Sequence, residues 1–168
     1  MPEKVNVAEI FARVLETSGV SADLPLGAWD VAVKAAFAGE KKSFGVDTPA
    51  VTFKVSLVAP VSGAEVSALA LREHSPLYYD IFITKWPDLS RAMDTLAGFG
   101  LVGAEAVEEV GLAYLSGGEF LKAINKELSA VKEMSAPGLA NLAERRYFSK
   151  KEGREVRSVE ITKLTAAE

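Results

Sequence analysis

The chain has no cysteine and no glutamine, a single histidine, and asparagine only at positions 6, 125 and 141. Without cysteine there is no disulfide, no thiolate metal site and no cysteine nucleophile. His74 stands alone in "REHSPLYY". A zinc site needs several His, Cys or carboxylate ligands at close spacing, so no metal is expected. A Ser-His-Asp arrangement of His74 with Asp80 lacks a nucleophile elbow, and His74 is read as a turn residue. No apolar run reaches the roughly 18 residues that span a bilayer, and "MPEKVNVAEIF" lacks the order of a signal peptide. These absences predict a soluble, cytoplasmic chain. Scarce amide side chains together with loop prolines are a bias of heat-adapted proteins, and predict a thermophilic source.

Phosphate-binding loops are missing as well. Gly117 and Gly118 precede a predicted helix, but neither G-x-G-x-x-G nor G-x-x-x-x-G-K-[ST] surrounds them. Glu105, Glu108 and Glu109 fall on one turn of a predicted helix and read as a solvated face. No set of residues is left to carry a reaction, and the chain is read as non-catalytic, with no cofactor.

What is present is an ordinary globular composition: 168 residues, 49% hydrophobic and 25% charged. That length suits one domain, residues 1–168, with a core that needs no metal or disulfide. The formal net charge is −4, yet residues 145–157, "RRYFSKKEGREVR", hold six Lys or Arg against two Glu. That stretch is +4, so the remainder is −8, and the asymmetry concentrates any field attractive to anions at one place.

Period and capping predict the elements. Asn6 caps a first helix, Glu9 completes a capping box, and Val7, Ile10, Phe11, Val14 and Leu15 form a core-facing stripe before Gly19. Trp29, Ala32, Val33, Ala36 and Phe37 repeat the helical spacing and predict a second helix ending at Gly39. From residue 50 the period becomes 2. "VTFKVSLVA", "EVSALALRE" and "LYYDIFITKW" predict a three-stranded antiparallel meander, with Leu77, Tyr79, Ile81 and Ile83 facing the helices and Tyr78, Asp80, Phe82 and Thr84 facing away. Pro87 opens a helix with Leu89, Met93 and Leu96 inside. Another covers about 103–115, and a longer one runs from the Ser116 cap to about Met134. A short helix containing Leu139 and Leu142 then leads into a hairpin that turns at Glu152 and Gly153. The fold class is α+β: amphipathic helices on an inserted antiparallel meander of three to four strands, with a basic C-terminal β-hairpin.

Two segments interleave cations with rings, "EKKSFG" at 40–45 and "ERRYFSKK" at 144–151. Lys and Arg neutralise phosphates, and aromatic rings stack on unpaired bases. Lys41, Lys42, Lys54, Arg72, Arg145, Arg146, Lys150, Lys151, Arg154 and Arg157 are the candidate phosphate contacts. Phe44, Tyr78, Phe82, Tyr147 and Phe148 are the candidate stacking rings. Lysines and arginines also protect exposed strand edges, and a ring can anchor a hairpin to its core, so the same residues have a purely structural explanation.

"LANLAERRYFSKKEGREVRSVEITKL" resembles the last part of winged-helix DNA-binding regulators, a helix followed by a basic hairpin that is the wing. The resemblance covers about 26 residues, and no basic recognition helix precedes it. It implies contact with duplex DNA. The expectation from the residues themselves is a non-catalytic protein that favours single-stranded DNA or RNA. Its rivals are a subunit of a larger assembly, coat-like or oligomeric, that pairs with neighbours through the hairpin, and a winged-helix regulator.

Overall fold

A computed structural model describes residues 5–19, 23–131 and 134–167 of the chain; the side chain of Leu15 lies outside the described set. Within it are five helices and one antiparallel five-stranded sheet, an α+β arrangement. In chain order the elements are α1 (Val7–Ser18), β1 (Gly27–Ser43), β2 (Val46–Pro60), α2 (Ala68–His74), β3 (Leu77–Phe82), α3 (Trp86–Gly98), α4 (Ala104–Leu115), α5 (Phe120–Leu128), β4 (Ala136–Ser149) and β5 (Arg154–Ala166). The strand order is β3-β2-β1-β4-β5.

Alternation builds the core. Trp29, Val31 and Val33 of β1, Val51, Phe53, Val55 and Leu57 of β2, and Ile81 of β3 are all buried, as a period of two requires of one sheet face. The edge strands β3 and β5 come within contact of each other, and α3 packs on both, so the sheet curls around its helices. Leu89, Ala92, Met93 and Leu96 form the inner stripe of α3, and α4 and α5 add Ala106, Val110, Ile124 and Leu128. The Phe53 ring lies 6.4 Å from Tyr79 and 6.0 Å from Phe99. Phe99 in turn sits on β4 at Gly138, where a Cβ would come within 2.9 Å of the ring and of the Thr165 carbonyl oxygen. Only glycine admits that approach.

Local chemistry sets the ends. Asn6 accepts a hydrogen bond from the Glu9 N–H at 3.1 Å, and Gly19 closes α1 at φ 72°. At the start of α3, Asp88 accepts from the N–H and hydroxyl of Thr84 and from the Lys85 N–H. These bonds hold its carboxyl below the ordinary aspartate range, the Thr84 backbone bond contributing most. No helix among the described residues is long and apolar enough to cross a membrane.

Several expectations are corrected. Residues 29–37 are strand: a register irregularity between Val33 and Ala35 shifts the inward positions from the buried Trp29, Val31 and Val33 to the half-buried Ala36 and the buried Ala38. The combined spacing imitates a helix. Residues 68–74 are helix α2, capped by Ser67 on the Ala70 N–H at 3.0 Å, so the sheet contains no strand from "EVSALALRE". Ala and Leu favour helix, and only Ala70 of α2 is buried. Leu139 and Leu142 lie in β4. The helix expected after Ser116 begins only at Phe120, because Gly117 turns the chain at φ 74°, and it ends at Leu128; residues 132–133 of its expected range are outside the described set. Finally, every described side chain of α1 is exposed, so its apolar stripe is not core.

Candidate nucleic-acid interface

Strand register decides which of the predicted residues meet. Lys41, Lys42 and Phe44 sit at the hairpin between β1 and β2. Lys41 is fourteen residues along β1 from Gly27. Gly27 pairs with Leu142, three residues before Arg145. At about 3.3 Å per residue, those seventeen positions place the two cationic stretches about 55 Å apart along the strands. They do not form one surface.

At the first end the charges are largely satisfied. Lys41 Nζ is 2.9 Å from Asp80 Oδ1 and lies 5.9 Å from the centroid of the Phe37 ring. Asp80 also accepts from the hydroxyl of the buried Thr52. Lys42 is 3.4 Å from Asp47. Phe44 stands at the tip with a relative exposure of 105% and φ 50°, followed by Gly45 at φ 79°. Positive φ at both central residues is the mark of a type I′ hairpin turn, which Asn or Gly adopts at the least cost and phenylalanine does not.

On the outer sheet face Lys54 pairs across strands with Tyr78, and Phe82 lies beside Ala50, with Asp80 between the two rings in β3. Tyr78 is exposed and Phe82 half-buried. Their alternation with Tyr79 and Ile81 matches the facing expected from the sequence. Arg72 is on α2 and exposed, apart from this strand face.

The second end has a different construction. Beyond the pair Leu142–Ile161, β4 and β5 continue as two strands alone, with pairs from Ala143–Glu160 to Ser149–Arg154. β1 begins opposite Leu142, so among the described residues no third strand accompanies them. This arm is about 23 Å long for seven residues of β4. Side chains on both of its faces are exposed, including Tyr147 at 45% and Phe148 at 67%. Since successive residues of a strand point to opposite faces, Arg146 and Phe148 share one face with Arg157, while Arg145 and Tyr147 share the other. Arg146 and Arg157 are directly opposed, and Glu144 lies between them, 3.5 Å from one and 3.6 Å from the other. Arg145 is 4.0 Å from Glu160 and 5.9 Å from the Tyr147 ring centroid, and Arg154 is 3.4 Å from Glu152. Exposed pairs of this kind are worth little and yield readily to a phosphate. Lys150 and Lys151 at the tip have no ion-pair partner among the described residues.

Sequence reasoning missed the Lys41–Asp80–Thr52 cluster, although an aspartate among the outward positions of an aromatic strand was its available signal. The opposed facing of Arg145 and Arg146 was legible from strand alternation. Among the described residues no group of three or more His, Cys, Asp or Glu is placed to hold a metal ion. His74 ends α2 beside a cleft of about 270 Å³ at the base of the arm, shared with Leu24, Glu144 and Arg157. No family model matches the chain, and no curated protein or solved structure is significantly similar to it.

Proposed function

We propose that this is a non-catalytic nucleic-acid-binding protein whose contact element is the β4–β5 arm. One observation carries the reading: a two-stranded ribbon extends past the end of β1 with cations on both faces, two lysines without ion-pair partners among the described residues at its tip, and an exposed ring on each face. Phosphates displace the weak Arg–Glu pairs and release counterions. Tyr147 and Phe148 each offer a surface for one unpaired base, at about 1–3 kcal/mol per base, and this favours single strands. The outer-face residues Lys54, Tyr78 and Phe82 and the distant Lys41, Lys42 and Phe44 are outside this footprint. The acidic remainder of the chain limits indiscriminate coating.

Titration of fluorescent single-stranded and duplex oligonucleotides at two salt concentrations tests the reading. Single strands bind more tightly, with a log–log salt slope of about −3 if about four phosphates are neutralised. Phe148→Ala weakens single-strand binding by about tenfold, and the double change Lys150→Glu, Lys151→Glu abolishes it without unfolding. Binding that ignores the lysine reversal removes the arm from the interface. A duplex preference converts the arm to a ribbon that enters a groove. A second reading, a subunit of an assembly, is favoured by α1, whose apolar stripe lies uncovered.

A further inference from the structure

At the foot of the arm a carboxylate and a guanidinium stand side by side on the lining of the cleft of about 270 Å³. They belong to Glu144 and Arg157, with Glu144 Oε1 3.6 Å from Arg157 Nε. Val159 stands opposite Glu144 on the same face, and Leu24, Leu26 and His74 add apolar and ring surface. The surround is fixed. The buried Trp29 donates from its indole N–H to the Pro25 carbonyl oxygen at 2.8 Å, which holds the chain between Leu24 and Leu26. Ser75, next to His74, accepts from the Leu57 N–H at 3.1 Å and ties the end of α2 to β2.

We propose that this cleft receives one unpaired guanine of a strand held by the arm. The site rests on the nucleic-acid reading of the arm and gives it a base to select. Charge disfavours a phosphate here: Asp23 and Glu144 against Arg157 leave the lining at a formal −1 with His74 neutral, and like charges repel. A neutral group with its own donors and acceptors suits this lining, and Leu24, Leu26 and Val159 offer apolar surface to a flat ring. Guanine matches the charged pair. Its N2 and N1 donors and its O6 and N7 acceptors follow one another around the ring edge. A carboxylate accepts from two donors together, and an arginine forks onto O6 and N7. The two side chains, 3.6 Å apart, therefore read that edge as a unit. No other base places two donors side by side. Glu144 approaches Arg157 and Arg146 at 3.6 and 3.5 Å, longer than good N–H···O bonds, and so keeps lone pairs for a ligand. Place agrees as well. Glu144 and Arg157 share the arm face of Arg146 and Phe148, and Phe148 is four residues, about 13 Å, along β4 from Glu144. A strand stacked on Phe148, with a phosphate on Arg146, runs toward the cleft.

Two measurements test the site. An oligothymidylate and the same strand with one internal guanine are titrated against the full chain. The guanine raises affinity about tenfold or more, and Glu144→Gln or Leu26→Trp removes that gain. Glutamine keeps the shape without the carboxylate, and Leu26 is 52% exposed, so each variant retains the wild-type thermal midpoint. GMP alone, followed by NMR, shifts the amide signals of Leu24, Leu26, His74 and Val159, and CMP shifts them less. Lys150→Glu, Lys151→Glu leaves those GMP shifts in place. Oligonucleotide binding that survives the lysine reversal therefore fails the arm reading, while GMP still reports on the cleft. Equal affinity for the two strands, a guanine gain that survives Glu144→Gln, or GMP shifts that lie outside the cleft overturn the proposal.

Discussion

Phe53 and Phe148 both lie on strands, on faces that continue the inward-pointing alternation of the sheet, yet one is fully buried and the other is 67% exposed. Around Phe53 the sheet curls until its edges meet, and α3 and Phe99 close the concave side. Around Phe148 only one neighbouring strand remains among the described residues, and the side chain is left exposed. The strand pattern is continuous from Leu142 to Phe148; what stops is the supply of partners. Alternation therefore asks for a covering layer, and its position in the fold determines whether the chain itself supplies one. The largest effect follows directly. Phe53→Ala leaves a cavity in a closed core and destabilises by about 3–5 kcal/mol, while Phe148→Ala changes stability by no more than about 0.5 kcal/mol. Urea denaturation of the two variants measures the contrast, and a comparable loss for Phe148 would mean that the arm is packed.

Partner supply also explains the far half of β1. β4 reaches only as far as Ala136, opposite Val33, so the next ten residues of β1 have a free edge. Asn125 of α5 takes the place of a strand there. Its Oδ1 accepts from the Ala38 N–H at 2.9 Å, and its Nδ2 donates to the Ala38 carbonyl at 2.7 Å. One side chain thus satisfies both edge groups of a buried residue and blocks intermolecular strand addition at that point. Asn125→Ala removes both bonds and leaves the Ala38 groups unpaired, a loss of about 2 kcal/mol. Amide exchange at Ala38 accelerates with it, and exchange in the β2 and β4 ladders is affected less. Uniform acceleration would show that the edge is not held locally.

The residues that gave the fold away are those whose signal is local. Trp86-Pro87 with Leu89, Met93 and Leu96 marked α3, Asn6 and Gly19 marked the ends of α1, and the strict alternation of Leu77 to Ile83 marked β3 and its facing. The failures have local causes too. A bulge displaced the alternation of β1 by one position, and alanines at 32, 35, 36 and 38 made helix the cheaper reading. Leu139 and Leu142, three apart among small residues, imitated a helical turn while belonging to opposite faces of β4. The separation of the two basic, aromatic segments has a different cause. It depends on the pairing of Gly27 with Leu142, a contact across more than one hundred positions that nothing in either segment encodes. For the same reason the cluster of Lys41, Thr52 and Asp80 and the bond from Asn125 to Ala38 became visible only with the pairing of distant strands and helices.

The two hairpins sharpen the comparison at its smallest scale. Each presents a ring to solvent, but Phe148 occupies ordinary strand backbone near the end of the arm, whereas Phe44 is held at φ 50° in a two-residue turn. A left-handed conformation costs a residue with a Cβ about 1 kcal/mol, and a fully exposed ring recovers none of it by burial. Asparagine tolerates that conformation, and Asn-Gly is a preferred sequence for the turn. Phe44→Asn therefore stabilises the fold by up to about 1 kcal/mol, read as a raised urea midpoint with an unchanged slope. It leaves oligonucleotide affinity as it was, because the tip is about 60 Å from the arm along the strands. If affinity falls with Phe44→Asn while stability rises, the strain at the tip is retained for binding, and the footprint extends to the end of the sheet that the arm does not reach.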